Sequence, residues 1–231
     1  MNISDIKKIT DKLPDVPGVY LFKIKNKKLK IKNRILYIGK ATSLKDRVKS
    51  YFRDDIVDTR SPLISRMLKR FDDIEFIKTD SVLEALVLEA HLIKKYQPEA
   101  NIKDKDNKSF NFVVTTKEDF PRVLILRSRE LLNNLTWTRR VQVRYSFGPF
   151  PNGSQLKEAM KIVRKMFPFR DKCLLNQGKP CFNKQIGLCP GVCSGEISKK
   201  DYAKQIKNII LFFEGNKKKL MKNLEKQMAC F

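Results

Sequence analysis

Hydrophobic and polar positions at the start of the chain alternate between strand-like and helix-like periods. Residues 18–24 and 35–39 are short β-branched and aromatic runs, which predict two neighbouring strands. The stretch that follows predicts a helix over residues 42–52, and either Thr42 or Ser43 can cap its first turn. The chain therefore opens with two strands and a helix.

A second set of signals completes this first region. Pro62 predicts the start of another helix, and residues 74–78 predict a third strand. Ser81 and Glu84 have the spacing of a capping box, and the apolar helix behind them runs to Tyr96, just before a proline. We therefore expect a small α/β unit in which helices pack on one sheet.

The rest of the chain predicts a second, β-rich region and a helical end. Strands are expected at residues 110–116, 121–127 and 141–150, and helices at residues 153–167, 198–213 and 217–231. The fold class is therefore α/β (α+β), and three domains are predicted: residues 13–103, residues 104–197 with the cysteines, and a helical tail, residues 198–231. The last helix has no C-cap signal, which indicates a truncated or incomplete chain.

The charge of the chain indicates a polyanionic partner. Lysine and arginine number 49 against 25 acidic residues, a formal net charge of +24, which exceeds what solubility requires. Charge alone does not separate a nuclease from a ribosomal protein or a membrane-surface protein. No apolar run is long enough to cross a bilayer and the first residues have no signal-peptide core, so we expect a cytoplasmic protein and no membrane partner.

Four cysteines crowd into a short segment and predict a metal centre. They follow the spacing Cys173-x7-Cys181-x7-Cys189-x3-Cys193, whereas Cys230 stands apart and is expected to be a free thiol. Clustering without an export signal favours metal binding over disulfides. The spacing is wider than that of paired zinc knuckles, and it is compatible with either a [4Fe–4S] cluster or Zn²⁺, with a metal-free reduced set as the third interpretation.

An ordered set of residues in the first region resembles the GIY-YIG nuclease family. The tripeptides Gly18-Val19-Tyr20 and Tyr37-Ile38-Gly39 fall on the two predicted strands, and polar residues follow at intervals. Those residues are Lys40, Arg47, Tyr51, Glu89 and Asn101. Together with the stretches GPFPNG and FPFR (residues 167–170), the cysteines and the helix that contains Tyr202, they resemble the UvrC branch of that family over nearly the whole chain.

Glu89 is the predicted ligand of a divalent cation. It shares a helical face with Val82, Leu86 and Ile93, and a carboxylate on a buried face needs a partner or a metal. Without the other motifs, a salt bridge to one of the many lysines would be the favoured interpretation. With them, we expect Glu89 to hold Mg²⁺ or Mn²⁺, because hard cations prefer oxygen ligands.

The resemblance also implies a role for each remaining residue of the set. Tyr37 is expected to act as the general base, with its pKa lowered by Lys40, Arg47 and the cation. Lys40 and Arg47 would stabilise the charge that develops on the phosphate. The other predicted catalytic residues are Tyr20 and Tyr51, which would orient water or phosphate unless they only pack, and Asn101.

The resemblance to UvrC implies a metal-dependent nuclease of nucleotide excision repair. It would incise damaged double-stranded DNA on the 3′ side of a lesion, after a UvrB-like helicase subunit has loaded, and would carry an iron–sulfur cluster. Residues 198–231 resemble the start of the UvrB-binding hairpin but end early, and no 5′ incision is expected. The alternatives are a stand-alone 3′-nicking homologue, a mobile-element nuclease, and a non-catalytic DNA-binding module.

The sequence departs from the UvrC pattern at two places. The connection between Tyr20 and Tyr37 is longer than is typical, and its five lysines could contact phosphate or decorate an exposed loop. Those lysines are Lys25, Lys27, Lys28, Lys30 and Lys32. His91 replaces a common asparagine, and we expect no catalytic role for it.

Overall fold

The computed structural model describes residues 10–24, 34–52, 62–102, 110–133 and 142–228. The predicted lysine-rich connection between Tyr20 and Tyr37 and the predicted free thiol at Cys230 lie outside these residues. The chain forms two compact units, Met1–Asn107 and Lys108–Phe231. The three predicted domain boundaries stay predictions.

The first unit is a three-stranded antiparallel sheet with helices, in the strand order β2-β1-β3. Its strands are β1 (Gly18–Ile24), β2 (Arg34–Ala41) and β3 (Asp73–Lys78). Its helices are α1 (Leu44–Lys49), α2 (Pro62–Leu68), α3 (Val82–Tyr96) and α4 (Glu99–Ile102), and a 3-10 turn (Ser50–Phe52) follows α1. The predicted α/β arrangement is confirmed, and only α4, which is too short to show a period, was not predicted.

Local side-chain contacts explain where these helices begin and end. The Ser43 hydroxyl accepts a hydrogen bond from the Asp46 amide (3.2 Å), which makes Ser43 the N-cap of α1. The predicted helix over 42–52 was too long as an α-helix. The Ser50 hydroxyl donates to the Arg47 carbonyl (2.7 Å), and the chain tightens there into the 3-10 turn.

The long helix α3 begins and ends at the signals that the sequence contains. Its N-cap Ser81 accepts from the Glu84 amide (3.1 Å), and the Glu84 carboxylate accepts from the amide of Asp80 (2.9 Å). The helix ends at Gln97, whose φ of 46° lies in the left-handed region. These contacts fix the length of the helix that bears Glu89.

The central strand β1 is buried on both faces, which accounts for its continuous run of apolar residues. Val19 and Leu21 pack on one face with Ala85 of α3. Tyr20 and Phe22 point to the other face, toward the side where α1 packs. A buried strand therefore carries the first tyrosine of the motif into the interior of the unit.

The second unit is also built on a three-stranded antiparallel sheet, in the order β5-β4-β6. Its strands are β4 (Asn111–Thr116), β5 (Val123–Arg127) and β6 (Val143–Phe150). Its helices are α5 (Ser128–Asn133), α6 (Gly153–Met166), α7 (Phe182–Gln185), α8 (Lys199–Phe213) and α9 (Lys217–Met228). The predicted strands and the three longer helices are confirmed, whereas the short α5 and α7 were not predicted.

The helices α8 and α9 interact through polar side chains. The Asn223 amide donates to Asn208 (3.2 Å), and the Asn208 amide donates to Gln227 (3.4 Å). Within the described ranges, no helix combines the length and the apolar character that crossing a bilayer requires.

Candidate functional site

Three tyrosines from three elements meet in the interior of the first unit. Tyr20 comes from β1, Tyr37 from β2 and Tyr51 from the 3-10 turn, and their ring centroids lie 5.8–6.2 Å apart. The hydroxyl groups of Tyr20 and Tyr51 are 2.8 Å apart and share a hydrogen bond. The side chains of Tyr20 and Tyr51 are almost completely buried. The ring distances show that the three phenols are concentrated in one place.

Close approaches explain the two glycines of the motif. A Cβ atom on Gly39 would lie 2.4 Å from the hydroxyl oxygen of Tyr20, so only glycine lets that phenol cross β2. A Cβ atom on Gly18 would lie 2.4 Å from the carbonyl oxygen of Ile77 on β3. The glycines therefore leave room for the phenol and for the neighbouring strand.

Arg47 projects from α1 toward the tyrosines. Its guanidinium carbon lies 5.8 Å from the centroid of the Tyr51 ring, in the range of a cation–π contact. Partial burial opposes its charged form, but the phenols, first that of Tyr20, more than offset this, and the pKa of Arg47 is raised. The site thus holds a permanent positive charge beside the phenol oxygens.

The pKa of Tyr37 is raised by the residues that surround it. The pKa of Tyr37 lies well above its ordinary value because of burial first, then Tyr51, then the negative charge of Glu89. Arg47 lowers this pKa, but by less than the other causes raise it. Arg47 lowers it as predicted, the effect of the cation stays a prediction, and the residues of the chain alone leave the pKa raised. The reason is that desolvation disfavours the phenolate more than one nearby cation favours it.

Glu89 reaches the site from the middle of α3. Its side chain is only 8% exposed, and one carboxylate oxygen accepts a hydrogen bond from the backbone amide of Lys40 (2.9 Å), which follows Gly39 on β2. The pKa of the Lys40 ammonium is lowered. Burial is the largest cause; Glu89 opposes it by raising the pKa, and Arg47 lowers the pKa further. Glu89, Lys40, Arg47 and Tyr37 therefore influence one another electrostatically and belong to one site.

The surroundings of Glu89 fit a hard divalent cation. A nearly buried carboxylate needs compensating positive charge, and its oxygens are the ligand type that Mg²⁺ and Mn²⁺ prefer. Among the residues that the structure describes, Glu89 is the carboxylate that acts on both Tyr37 and Lys40. Glu89 would hold such an ion.

Asn101 lies at the outer edge of β2 and is fixed to its backbone. Its side-chain oxygen accepts from the Ile38 amide and its side-chain nitrogen donates to the Ile38 carbonyl, both at 2.8 Å. The carboxamide thus pairs with the edge strand as a neighbouring strand would. This geometry orients Tyr37 and Gly39, which lie on either side of Ile38. The catalytic role of Asn101 stays a prediction.

The four cysteines of the predicted metal centre converge in the second unit. The sulfur atoms of Cys173, Cys181, Cys189 and Cys193 all lie within 4.8 Å of one another. The Cys181 amide donates to the sulfur of Cys193 (3.3 Å), and the amide of Gln177 donates to the Cys193 carbonyl (2.9 Å). Burial and then the other three cysteines raise the pKa of Cys173 to about 12, so a bound cation is needed to favour its thiolate.

The cysteine donor set fits a four-thiolate metal centre. One tetrahedral Zn²⁺ with thiolate ligands places its sulfur atoms about 3.8 Å apart. In a [4Fe–4S] cluster the sulfur atoms bind different irons and lie further apart. The observed spread of up to 4.8 Å is therefore close to that of a single ion, and a cluster would require the loop to widen.

Both units match known families. Residues 16–102 match the family described as UvrC-like GIY-YIG domain, and residues 110–212 match the UvrC/Cho excinuclease middle domain. The UvrABC system protein C of Moorella thermoacetica is 39% identical over 230 residues, which cover 98% of this chain and 34% of that protein. The chain belongs to the UvrC family.

A second curated relative and one solved structure are also similar to this chain. The UvrABC system protein C of Carboxydothermus hydrogenoformans is 40% identical over 94% of this chain and 33% of its own length. The GIY-YIG N-terminal endonuclease domain of UvrC from Thermotoga maritima, bound to magnesium as its catalytic divalent cation, is 35% identical. That match covers 44% of this chain and 100% of the domain, with a TM-score of 0.35. The chain spans about a third of the length of the curated relatives it matches, and its first unit contains a UvrC-type GIY-YIG endonuclease domain.

Arg170, the last residue of the stretch FPFR, has a structural role that the sequence did not predict. Its side chain is 2% exposed and donates to the carbonyls of Cys173 and Phe120, both at 2.8 Å. Its backbone amide donates to the hydroxyl of Tyr202 (3.0 Å), which in turn donates to the Pro121 carbonyl (2.6 Å). An arginine in the apolar stretch Phe167–Arg170 was the available signal, since a charge there needs several partners.

Proposed function

We propose that the chain is a metal-dependent DNA endonuclease of nucleotide excision repair. In this proposal it makes the 3′ incision in damaged double-stranded DNA on which a UvrB-like subunit is loaded. The observation that carries the proposal is the position of Glu89, a nearly buried carboxylate bonded to the strand that bears Tyr37 and Lys40. A protein that only binds DNA gains nothing from a carboxylate that faces phosphate.

Magnesium is the proposed cation, with Mn²⁺ as its substitute. The Thermotoga maritima domain is bound to magnesium, and its 35% identity spans that whole domain. A divalent cation held by Glu89 would neutralise charge on the scissile phosphate and stabilise the leaving oxygen.

The chain's own residues would position the phosphate and handle the proton of the attacking water. Arg47 and Lys40 would stabilise the negative charge that develops on the phosphate oxygens. Tyr37 is the proposed acceptor of the water proton, a role that requires its phenolate form. Because burial raises its pKa, Arg47 alone does not favour that form, and a cation held by Glu89 would have to stabilise it. Tyr51 and Tyr20 would orient water and phosphate, and the hydrogen bond between their hydroxyl groups would hold the two phenols in place.

The cysteine set is proposed to hold a [4Fe–4S] cluster with a structural role. The likeness to UvrC favours this cluster, and the compact spread of the sulfur atoms favours the alternative, Zn²⁺. Metal analysis together with the visible absorption spectrum of the purified chain distinguishes the two. Helices α8 and α9 are the proposed contact for UvrB, and the cytoplasmic location stays a prediction.

A nicking assay with Glu89→Ala and Glu89→Gln tests the proposed function. We expect nicking of a damaged duplex to fall roughly 10³-fold, because the lost charge stabilisation amounts to several kcal/mol, while the Kd for DNA is nearly unchanged. The control is Glu84→Gln, which alters the half-buried capping-box carboxylate of the same helix and keeps an oxygen that can accept from the Asp80 amide. The duplex is tested with Mg²⁺ or Mn²⁺, and with and without UvrB.

Each outcome of this assay assigns a function. Equal loss of nicking and of DNA affinity in the Glu89 variants contradicts the nuclease proposal and leaves a DNA-binding module. Nicking by the unaltered chain without UvrB contradicts only the partner and favours a stand-alone or mobile-element nuclease. Nicking products on the 5′ side of the lesion contradict the assigned incision.

A further inference from the structure

The segment that carries the cysteines presents an exposed apolar surface. Four side chains form it, and we call them the apolar patch: Leu174 (61% exposed), Leu175 (41%), Phe182 (71%) and Ile186 (49%). Phenylalanine is normally buried, and several large apolar side chains exposed within one short segment mark an interaction site.

The cysteines hold these side chains close together. Leu174 directly follows Cys173 and Phe182 directly follows Cys181, and the sulfur atoms of those cysteines lie within 4.8 Å of each other. Ile186 lies four residues after Phe182, one helical turn along and on the same side. The four apolar residues therefore occupy one region around the cluster.

The loop that presents Phe182 is fixed by backbone contacts. The Cys181 carbonyl accepts hydrogen bonds from the amides of Lys184 (2.9 Å) and Gln185 (3.2 Å), and the Cys181 amide donates to the sulfur of Cys193. A residue whose backbone is held this way loses little backbone freedom when it binds. Phe182 is thus a preorganised aromatic group that projects into solvent.

The charge around the apolar patch favours a nucleic acid as the partner. Residues 171–196 contain three lysines and two acidic residues, of which Asp171 is paired with Arg164. Lys172 and Lys179 are exposed beside the apolar patch, and Lys184 pairs with Glu196. Apolar side chains flanked by lysines are how proteins contact both the bases and the phosphates of DNA.

We propose that Phe182 stacks on a DNA base that has left the helical stack, while Lys172 and Lys179 contact the adjoining phosphates. This inference rests on the proposed function, because it takes DNA as the ligand. A paired base in regular duplex has both faces covered by its neighbours, so an exposed phenyl ring gains contact only where stacking is disrupted. The apolar patch would therefore favour distorted DNA over regular DNA without reading its sequence.

The test compares two duplexes that differ at one position. Each carries 2-aminopurine, whose fluorescence falls on stacking, placed opposite thymine in one duplex and opposite an abasic site in the other. With the full metal-loaded chain, we expect quenching and tighter binding on the abasic duplex. In Phe182→Ala that quenching disappears and the affinity for the abasic duplex falls about tenfold, since one stacked base contributes about 1–3 kcal/mol.

Further variants separate stacking from an effect on the metal centre next to Phe182. Phe182→Tyr keeps an aromatic ring and should keep the quenching, whereas Phe182→Leu keeps the apolar bulk and should lose it. Ile162→Ala, at an exposed apolar residue on α6 (47%), should behave as the unaltered chain. The metal content of each variant is measured alongside.

Two results overturn the inference. If the unaltered chain binds both duplexes equally and does not quench, base stacking is absent, and nicking can still occur, so the proposed function stands. If Phe182→Leu with normal metal content quenches as well as the unaltered chain, the aromatic ring is not the stacking contact and the inference is wrong. Failure to bind either duplex removes the proposed function together with the inference.

Discussion

Replacing Asn101 with leucine removes the two hydrogen bonds that hold the middle of β2. The side chain is similar in size, so the change deletes polar contacts rather than volume. Both lost contacts are 2.8 Å long and both go to the peptide groups of Ile38, at the open edge of the sheet. The substitution therefore leaves one donor and one acceptor of the site strand without their partner.

The size of the effect follows from the burial of this contact. Asn101 is 8% exposed, and a buried polar group that loses its partner costs about 1–3 kcal/mol. Two such groups give about 2–6 kcal/mol, and we expect the lower half of that range, because water can reach an edge strand more easily than a central one. That corresponds to a loss of about 10² in local protection.

Hydrogen exchange of the peptides that cover residues 34–41 measures this loss directly. Exchange is preferable to a global unfolding curve because the chain forms two units that need not unfold together. Asn101→Asp keeps the acceptor for the Ile38 amide and loses the donor, so its exchange rate should be intermediate. Asn152→Ala is the control, since Asn152 also bonds to backbone, at the Gln155 amide, but in the other unit.

One result would contradict the positioning role of Asn101. If Asn101→Leu abolishes nicking while exchange over residues 34–41 remains that of the unaltered chain, Asn101 acts on the substrate. The positioning role assigned from its contacts with Ile38 would then be wrong.

Two further substitutions test contacts that only the structure reveals. Gly39→Ala places a methyl group 2.4 Å from the Tyr20 oxygen, so we expect about 2–4 kcal/mol of destabilisation and slower nicking. A denaturant unfolding curve equal to that of the unaltered chain would contradict this. Arg170→Met leaves the carbonyls of Cys173 and Phe120 without their donor and should cost about 2–6 kcal/mol and lower the bound metal, measured by metal analysis. The exposed Arg144→Met is its control, and equal metal content in both would refute the role.

Elements with strong local signals were predictable from the sequence. Ser81, Glu84 and the proline after Gln97 fixed α3 at both ends, because capping involves residues only a few positions apart. The helix over 42–52 was predicted too long, since the Ser50 hydroxyl bond to Arg47 competes with helical geometry. The shortest helices have too few residues to show a period.

Residue types and their order predicted the members of the candidate site, but not their electrostatics. The sequence indicated that Tyr37, Lys40, Arg47 and Glu89 belong together. It could not show that the pKa of Tyr37 rises, because burial, the largest cause, depends on which elements cover the phenol. Arg47 lowers this pKa as expected, but burial raises it more.

The sequence by itself determined the composition of this protein's sites: two strand tripeptides with tyrosines, one acidic residue on an apolar helical face, and four clustered cysteines. Only the tertiary structure decided the contacts between distant residues, such as Asn101 with Ile38, 63 positions apart, and Lys40 with Glu89, 49 apart. The physical reason is range. Periodicity and capping act over a few residues, whereas close approach, burial and charge coupling arise only after the chain has folded back on itself.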